Sequence, residues 1–261
     1  NYKVVIFSIN TMQGYMTNYL EDDLGWLYTP DELFDEGGFG LKVVDEAHKW
    51  LNFHMLLDMY SNIKMHHFLT GTLMSESPFV GAMEKTLFIE DNRCDVDPPT
   101  NHVHLRSYQF RFQDKPPPHL GAMGYNHMKF ESSIFKKPRL LNSYLRNLGN
   151  IFHRDFYTTR EGKDRAVIFF ATVNMVKAFT ELLEKGLPDL NIVSYLAGDD
   201  ESKYDNANVI VTTTKKAGTG TDFDDLTYVL QTIMISSIGE NYQNIGRLRN
   251  LKDRKTTFSY V

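Results

Sequence analysis

The sequence predicts an α/β protein of two domains, each a parallel sheet covered by helices. Three observations predict it. Between residues 41 and 69 a strand, an acidic pair, a helix and a second strand follow one another, the alternation expected of such a sheet. The same rhythm resumes at Pro138 and runs to the end of the chain. Between the two stretches, Pro98-Pro99 and Pro116-Pro117-Pro118 interrupt it. The boundary falls near residues 92–102, giving domains at 1–97 and 98–261.

In order, Lys3 to Ile9 reads as a buried strand, and Met12 to Tyr19 as a helix. Glu21 to Gly40, acidic and punctuated by Pro30, Gly37, Gly38 and Gly40, reads as a loop holding a short helix. Leu41 to Val44 is a strand. Trp50 to Tyr60 has helical spacing with Leu51, Met55 and Met59 on one side, and Lys64 to Leu69 is the next strand. In the second domain His104 to Phe112 reads as a strand and Gly121 to Phe135 as an exposed insertion, part of a basic stretch around 113–137. A helix is expected over Pro138–Phe152, a strand over Ala166–Ala171 and a helix over Asn174–Lys185, stopped by Gly186-Leu187-Pro188. Strands follow at Asn191–Leu196, Asn208–Thr212 and Thr227–Gln231. A helix over Glu240–Leu248 and a strand from Thr256 complete the pattern.

With 261 residues, 42% hydrophobic and 23% charged, the chain is long enough for one large domain or two medium ones. Its one cysteine, Cys94, permits no internal disulfide, and one thiol with scattered histidines argues against structural zinc. A reducing, intracellular and cytoplasmic setting is expected. No apolar run reaches the ~20 residues of a membrane span, and no signal peptide is visible. The lack of an initiator Met reads as a fragment or a trimmed chain.

The net charge of −5 hides an asymmetry. Residues 1–99 carry 16 acids and 6 bases, whereas residues 100–261 carry 17 acids and 22 bases. Residues 100–170 hold 12 of those bases against 5 acids. Such a stretch suits either a polyanion partner or a solvated face that balances an acidic neighbour. Between His102 and Lys137 the bases interleave with aromatics. Rings stack on bases and ammonium groups release counterions, so Lys115, Lys129, Lys136 and Lys137 are candidate contacts to a single strand or fork.

Val43-Val44-Asp45-Glu46-Ala47-His48 puts two acids and a histidine directly after a β-branched run. A strand ending this way aims carboxylates at a metal ion and a water, as phosphoryl transfer requires. Gln243-Asn244-Ile245-Gly246-Arg247-Leu248-Arg249 adds two arginines suited to charge on a transferring phosphoryl group. Gln243 lies one helical turn before Arg247, on the same face.

These residues resemble the superfamily-2 helicases and translocases. Asp45 to His48 is similar to motif II in its DEAH form. Thr70-Gly71-Thr72 stands where motif III would be, and Val167 to Ala171 is similar to motif IV. Thr212-Thr213-Thr214 through Gly218-Thr219-Gly220-Thr221-Asp222 resembles motif V, and Gln243 to Arg249 motif VI. The compact second domain resembles phage branch-migration and recombination helicases. The resemblance implies two RecA-like domains, the first incomplete. It implies Mg²⁺ on Asp45, a water oriented and deprotonated by Glu46, and coupling by His48 to Thr70 or Gln243. It further implies ATP near Thr70, Thr72, Gly220 and Asp222, the last facing the ribose, and strand contacts at Ser8, Asn10, Thr212 and Thr213. For Thr70 and Thr72 a plain turn is an equal reading. The family's second arginine falls where Asn250 stands. Arg249 comes one residue early, about 100° around a helix, so Arg247 is the preferred finger, with Arg249 and Arg254 as alternatives.

No Gly-x-x-x-x-Gly-Lys-Ser/Thr phosphate loop occurs in the chain. The resemblance therefore implies a missing upstream part, and poor ATP hydrolysis by these residues alone. The expected function is an ATP-dependent helicase or translocase on forked or branched DNA, acting as a monomer. A catalytically silent nucleic-acid clamp and an RNA-directed remodeller are the alternatives.

Overall fold

Ala166 to Phe170 are fully buried, and the larger of the two units is built outward from them. The computed structural model describes all residues except 1–3, 24, 26–27, 71–76, 95–101, 113–115, 123, 218–222, 236 and 252–253. The chain divides into units 1–94 and 95–261. Unit one holds α1 (Ile9–Leu20), α2 (Pro30–Gly37), β1 (Leu41–Val44), α3 (Leu51–Asp58), β2 (Met65–Phe68) and α4 (Pro78–Leu87). Unit two begins with β3 (Val103–Ser107), β4 (Leu120–Gly121), β5 (Gly124–Tyr125), α5 (His127–Phe135), α6 (Pro138–Phe152), β6 (Arg165–Phe170) and α7 (Val173–Gly186). It continues with β7 (Ile192–Tyr195), β8 (Val209–Thr213), α8 (Thr214–Ala217), β9 (Leu226–Gln231), α9 (Ile238–Gly246) and β10 (Thr256–Tyr260).

The large sheet runs β3-β10-β9-β6-β8-β7, with every pairing parallel. A central parallel strand is covered on both faces, which is why β6 is an unbroken apolar run rather than an alternating one. Its side chains still alternate. Ala166, Ile168 and Phe170 join Tyr144, Leu148 and Phe152 of α6 and Met175, Val176 and Phe179 of α7. Val167 and Phe169 face the other layer, with Tyr204, Ala217, Phe223 and Leu248. Each fully buried Val, Ile, Leu, Phe or Met among these contributes about 1.5–3 kcal/mol. The α6 helix carries its apolar residues at helical spacing and begins with Pro138 in its first turn. It runs on as a π-helical turn, His153–Tyr157, which buries Asp155 and Phe156.

Unit one is smaller. Its strands β1 and β2 pair in parallel, and Met12, Met16 and Leu57 form its core with Tyr15, Tyr19, Phe34 and Phe53 around them. Thr29 and Glu32 close a capping box at the start of α2, and Gly38, with φ of +59°, ends it. Lys42 and Asp58 pair at 2.5 Å, joining β1 to α3.

Several expectations are corrected. Residues 4–8 form no strand, and Val4, Val5, Ile6 and Phe7 are exposed. A strand needs a ladder partner, and these residues have none among the described residues. Ser8 instead takes the Thr11 N–H on its hydroxyl and starts α1. The strand expected at His104–Phe112 ends at Ser107. Beyond it Phe110 and Phe112 turn into an aromatic cluster with Phe130 and Tyr144. The stretch expected as an exposed insertion holds α5, which buries Glu131 and Ile134. On α3 the inward face is Leu51, His54 and Leu57, while Met59 is exposed. The α9 helix spans Ile238–Gly246, two residues earlier than expected at each end. Among the described residues no helix is long and apolar enough to cross a membrane.

Candidate functional site

The acids leave β1 on a tight turn, residues 45–48. Two backbone bonds seat that turn beside β2: Leu69 N–H donates to Val44 at 2.8 Å, and Ala47 N–H donates to Leu69 at 3.0 Å. Asp45 is exposed, and its Oδ1 accepts the Glu46 N–H at 2.9 Å. Glu46 itself has φ of +52°, a left-handed backbone that a side chain bearing a Cβ adopts at a cost. His48 Nδ1 lies 2.8 Å from Thr70 Oγ1 and 3.3 Å from Glu46 Oε2. Burial pushes the His48 imidazole below its ordinary pKa, the Glu46 charge opposes this, and Lys49 adds to it. The neutral ring is the favoured form, able to accept at one nitrogen and donate at the other. Thr72 lies outside the described residues.

In unit two Thr213 lies at the carboxyl end of β8, the side of the sheet where open α/β folds bind ligands, whereas Leu248, next to Arg247, accepts from His102 just before β3, toward the amino ends. Thr213 ends β8, half-buried. Thr212, expected as a strand contact, is fully buried and donates its hydroxyl to the Tyr195 carbonyl at 2.6 Å. It ties β8 to β7, which leaves Thr213 as the member of the pair near the surface. Gln243 and Arg247 are both half-buried, Gln243 on α9 and Arg247 as its C-cap; Arg249 follows, exposed. Arg254 sits at the opposite ends of the strands. It pairs with Asp164 before β6 at 2.8 Å and with Asp225 before β9 at 2.6 Å. That double pairing makes it a clasp of the sheet rather than a finger. Gly220 and Asp222 lie outside the described residues, as does Lys115.

The remaining candidates are placed as follows. Ser8 and Asn10 are exposed at the start of α1, Ser8 as its cap. Lys129 donates to the Leu120 carbonyl at 2.6 Å. Lys136 and Lys137, the C-cap of α5 and the N-cap of α6, are exposed. Among the described residues no group of three or more His, Cys, Asp or Glu side chains is arranged to hold a metal ion.

Sequence reasoning missed three buried polar groups. Gln231 at the end of β9 donates to Asn241 at 3.2 Å and accepts from Asn244 at 3.0 Å, anchoring α9 over the strand ends. The only signal was polar residues three apart on a helix expected to face the sheet. Asp155 accepts from Arg106, Tyr108, Arg154 and Ser259. Burial alone would raise its pKa, but the four donors outweigh that and hold it below the usual carboxylate range. Glu131, fully buried, accepts from the N–H groups of Ala171 and Thr172 at 2.8 and 2.7 Å, and from the Thr172 hydroxyl at 2.7 Å. Burial first, and then the Glu131 charge, push the nearby Tyr125 phenol up to about 12.

Comparison with known proteins adds the fold. No family model matches the chain, and no curated protein matches it. Among solved structures it is similar to Mss116p (NTE and C-tail double deletion) bound to ssRNA and AMP-PNP. The identity is 17% and the TM-score 0.50, covering 89% of this chain and 47% of that one. It is also similar to S. cerevisiae Dbp5 bound to RNA and ADP BeF3, at 13% identity and TM-score 0.44, over 89% of this chain and 58% of that one. The yeast DEAD-box splicing factor Prp28 matches at 13% identity and TM-score 0.39, over 89% of this chain and 50% of that one. The chain thus spans about half the length of the structures it matches. At such identities the likeness is one of fold: a mixed α/β architecture with a six-stranded parallel sheet flanked by helices, as in RecA-like helicase domains.

Proposed function

We propose that the chain is the motor part of a superfamily-2 type, ATP-dependent helicase or translocase. The observation that carries this reading is the turn after β1. It presents Asp45 and Glu46 at the carboxyl end of a parallel strand, with His48 tied to Thr70 beside them. Asp45, exposed and in no group of three or more His, Cys, Asp or Glu among the described residues, would help hold a magnesium ion, whose charge would offset that of nucleotide phosphates. Glu46 orients the attacking water and takes its proton. His48 relays the state of that site to Thr70. Arg247 supplies the positive charge at the transferring phosphoryl group. Thr213, Ser8, Asn10 and the lysines 136 and 137 meet strand phosphates, which position a strand without reading its sequence.

Forked DNA is the strand type the sequence reading favours. RNA is the second reading, supported by the RNA bound in the Mss116p and Dbp5 structures. Because the 261 residues hold no phosphate loop, hydrolysis by this chain alone is expected to be slow. Binding is therefore the primary test. Labelled forked DNA, single-stranded DNA and single-stranded RNA are titrated with the chain at rising salt, with and without an ATP analogue. The expected result is micromolar binding that weakens steeply with salt. Absence of binding to all three overturns the reading, and the order of affinities decides between DNA and RNA.

A further inference from the structure

The chain leaving β3 and one face of α6 enclose a pocket of about 330 Å³ that the motor chemistry leaves unused. Its volume is at the small end of the range for organic ligands. Tyr108 extends the β3 ladder by one bond, its N–H donating to the Tyr260 carbonyl at 2.7 Å. Phe110 then turns inward, its ring 5.4 Å from that of Tyr144, and Phe112 joins the same cluster. Gln109 and Arg111, alternating with these rings, are exposed and line the pocket. Across from them stand Asn147, Asn150 and Arg154, at the i, i+3 and i+7 spacing that shares one helical face. The opposite face of α6 is buried through Tyr144, Leu148 and Phe152.

The pocket is cationic. Residues 102–113 and 138–154 contain no Asp or Glu. Asp155, the acid that touches Arg154, is buried and already accepts from four donors. It fixes the arginine: Arg154 Nε donates to it at 3.0 Å, and the guanidinium carbon stands 4.9 Å over the centre of the Tyr108 ring. Among the described residues the two Nη groups of Arg154 have no hydrogen-bond partner, and neither do the side chains of Gln109, Arg111, Asn147 and Asn150. Two guanidinium groups suit a phosphomonoester dianion, since each can meet two oxygens at once. Carboxamides both donate and accept, and an Asn or Gln amide matches the N6 and N7 edge of adenine. We propose that this pocket of unit two binds an adenosine monophosphate unit, its phosphate on Arg111 and Arg154 and its base against Asn147 and Asn150. The unit comes as the free nucleotide or as the phosphorylated 5′ end of a strand, which offer the same phosphate and base. The site stands apart from the motor chemistry, since Arg247 is not among the residues that line it.

The test is calorimetric titration of the full chain with AMP and with adenosine. AMP is expected to bind one site with a dissociation constant on the order of 10–100 μM, and adenosine at least about tenfold more weakly. Arg111→Ala is expected to weaken AMP about tenfold, the loss of one charge-assisted pair. Arg111→Lys, which keeps the charge and loses the fork, is expected to weaken it less. Asn150→Ala is expected to narrow the preference for AMP over UMP. Arg111 and Asn150 are exposed, so these substitutions leave the core intact. Photolabelling with 8-azido-AMP is expected to mark peptides within 104–112 or 138–157. A 5′-phosphorylated oligonucleotide beginning with adenosine then distinguishes the sources. Competition stronger than that of AMP supports the site as a reader of strand ends, and weaker competition supports it as a site for the free nucleotide. The proposal is overturned if wild type binds no AMP at about 1 mM, or if Arg111→Ala binds it unchanged. Arg247→Ala is expected to bind AMP as wild type does. Loss of AMP binding there would put the nucleotide at the motor residues, ending the pocket proposal while leaving the motor reading in place.

Discussion

Arg106 Nη1 donates to Asp155 Oδ1 at 2.5 Å, joining the edge strand β3 to the π-helical turn that extends α6. Asp155 is buried, and Ser259 of β10 reaches it at 2.9 Å, so one carboxylate holds two strands and a helix. Removing it leaves buried donors without an acceptor. Asp155→Ala is expected to destabilise unit two by about 3–5 kcal/mol, and Ser259→Ala by about 1 kcal/mol. Urea unfolding followed by tyrosine fluorescence checks both, and a loss under 1 kcal/mol for Asp155→Ala would refute the assignment. The sign with pH follows from the depressed carboxyl. Its stabilisation is fully present above the ordinary value of 3.8 and is lost as pH falls through the lower folded value. Asp155→Asn should therefore flatten the acid limb of the unfolding profile.

His54 gives an acid response of the same sign in unit one, at higher pH. It is buried on α3, and burial lowers its pKa, with Lys42 adding to the shift and Asp58 opposing it. The folded chain resists protonation there while the unfolded chain accepts it at the ordinary value of 6.5. Stability is present above that value and falls as pH drops through it toward the folded value. His54→Leu should reduce this loss. Melting temperatures from pH 7.5 to 5 check it, and parallel curves for the two proteins would remove His54 from the effect.

Glu46→Gln keeps the size and turn position of the side chain but cannot take a proton. ATP analogue binding is expected to persist while any strand-stimulated turnover drops by about 10²–10⁴. Unaltered hydrolysis would take Glu46 out of the mechanism.

Arg247 and Arg249 are separated by the same kind of measurement. Arg247 is the C-cap of α9, and Arg249 lies beyond the helix. Stimulated turnover is expected to fall by about 10³ or more in Arg247→Ala and far less in Arg249→Ala. Wild-type rates in both would undo the arginine assignment.

Much of unit two could be read from residue patterns. The run Ala166 to Phe170 is apolar without alternation, so a doubly covered parallel strand was the natural reading, and α6 and α7 carry their apolar faces at helical spacing. Val4 to Phe7 misled, because β-branched composition reports a preference while a strand also needs an edge to pair with. Glu131 was illegible for a different reason. Its partners are backbone amides forty residues away, and main-chain donors leave no mark on side-chain identity. Asp155 was hidden because its four side-chain donors come from three separate parts of the chain. For the acids at 45 and 46 the residues gave the strand end, but not the left-handed backbone that carries Glu46.

That backbone sets a trade between robustness and chemistry. A residue lacking a Cβ would sit at position 46 with less strain, and Glu46→Gly is expected to make unit one slightly sturdier, by about 1 kcal/mol or less. The carboxylate is thus carried at a small thermodynamic disadvantage. Surveys that rank substitutions by folding alone would score its removal as an improvement.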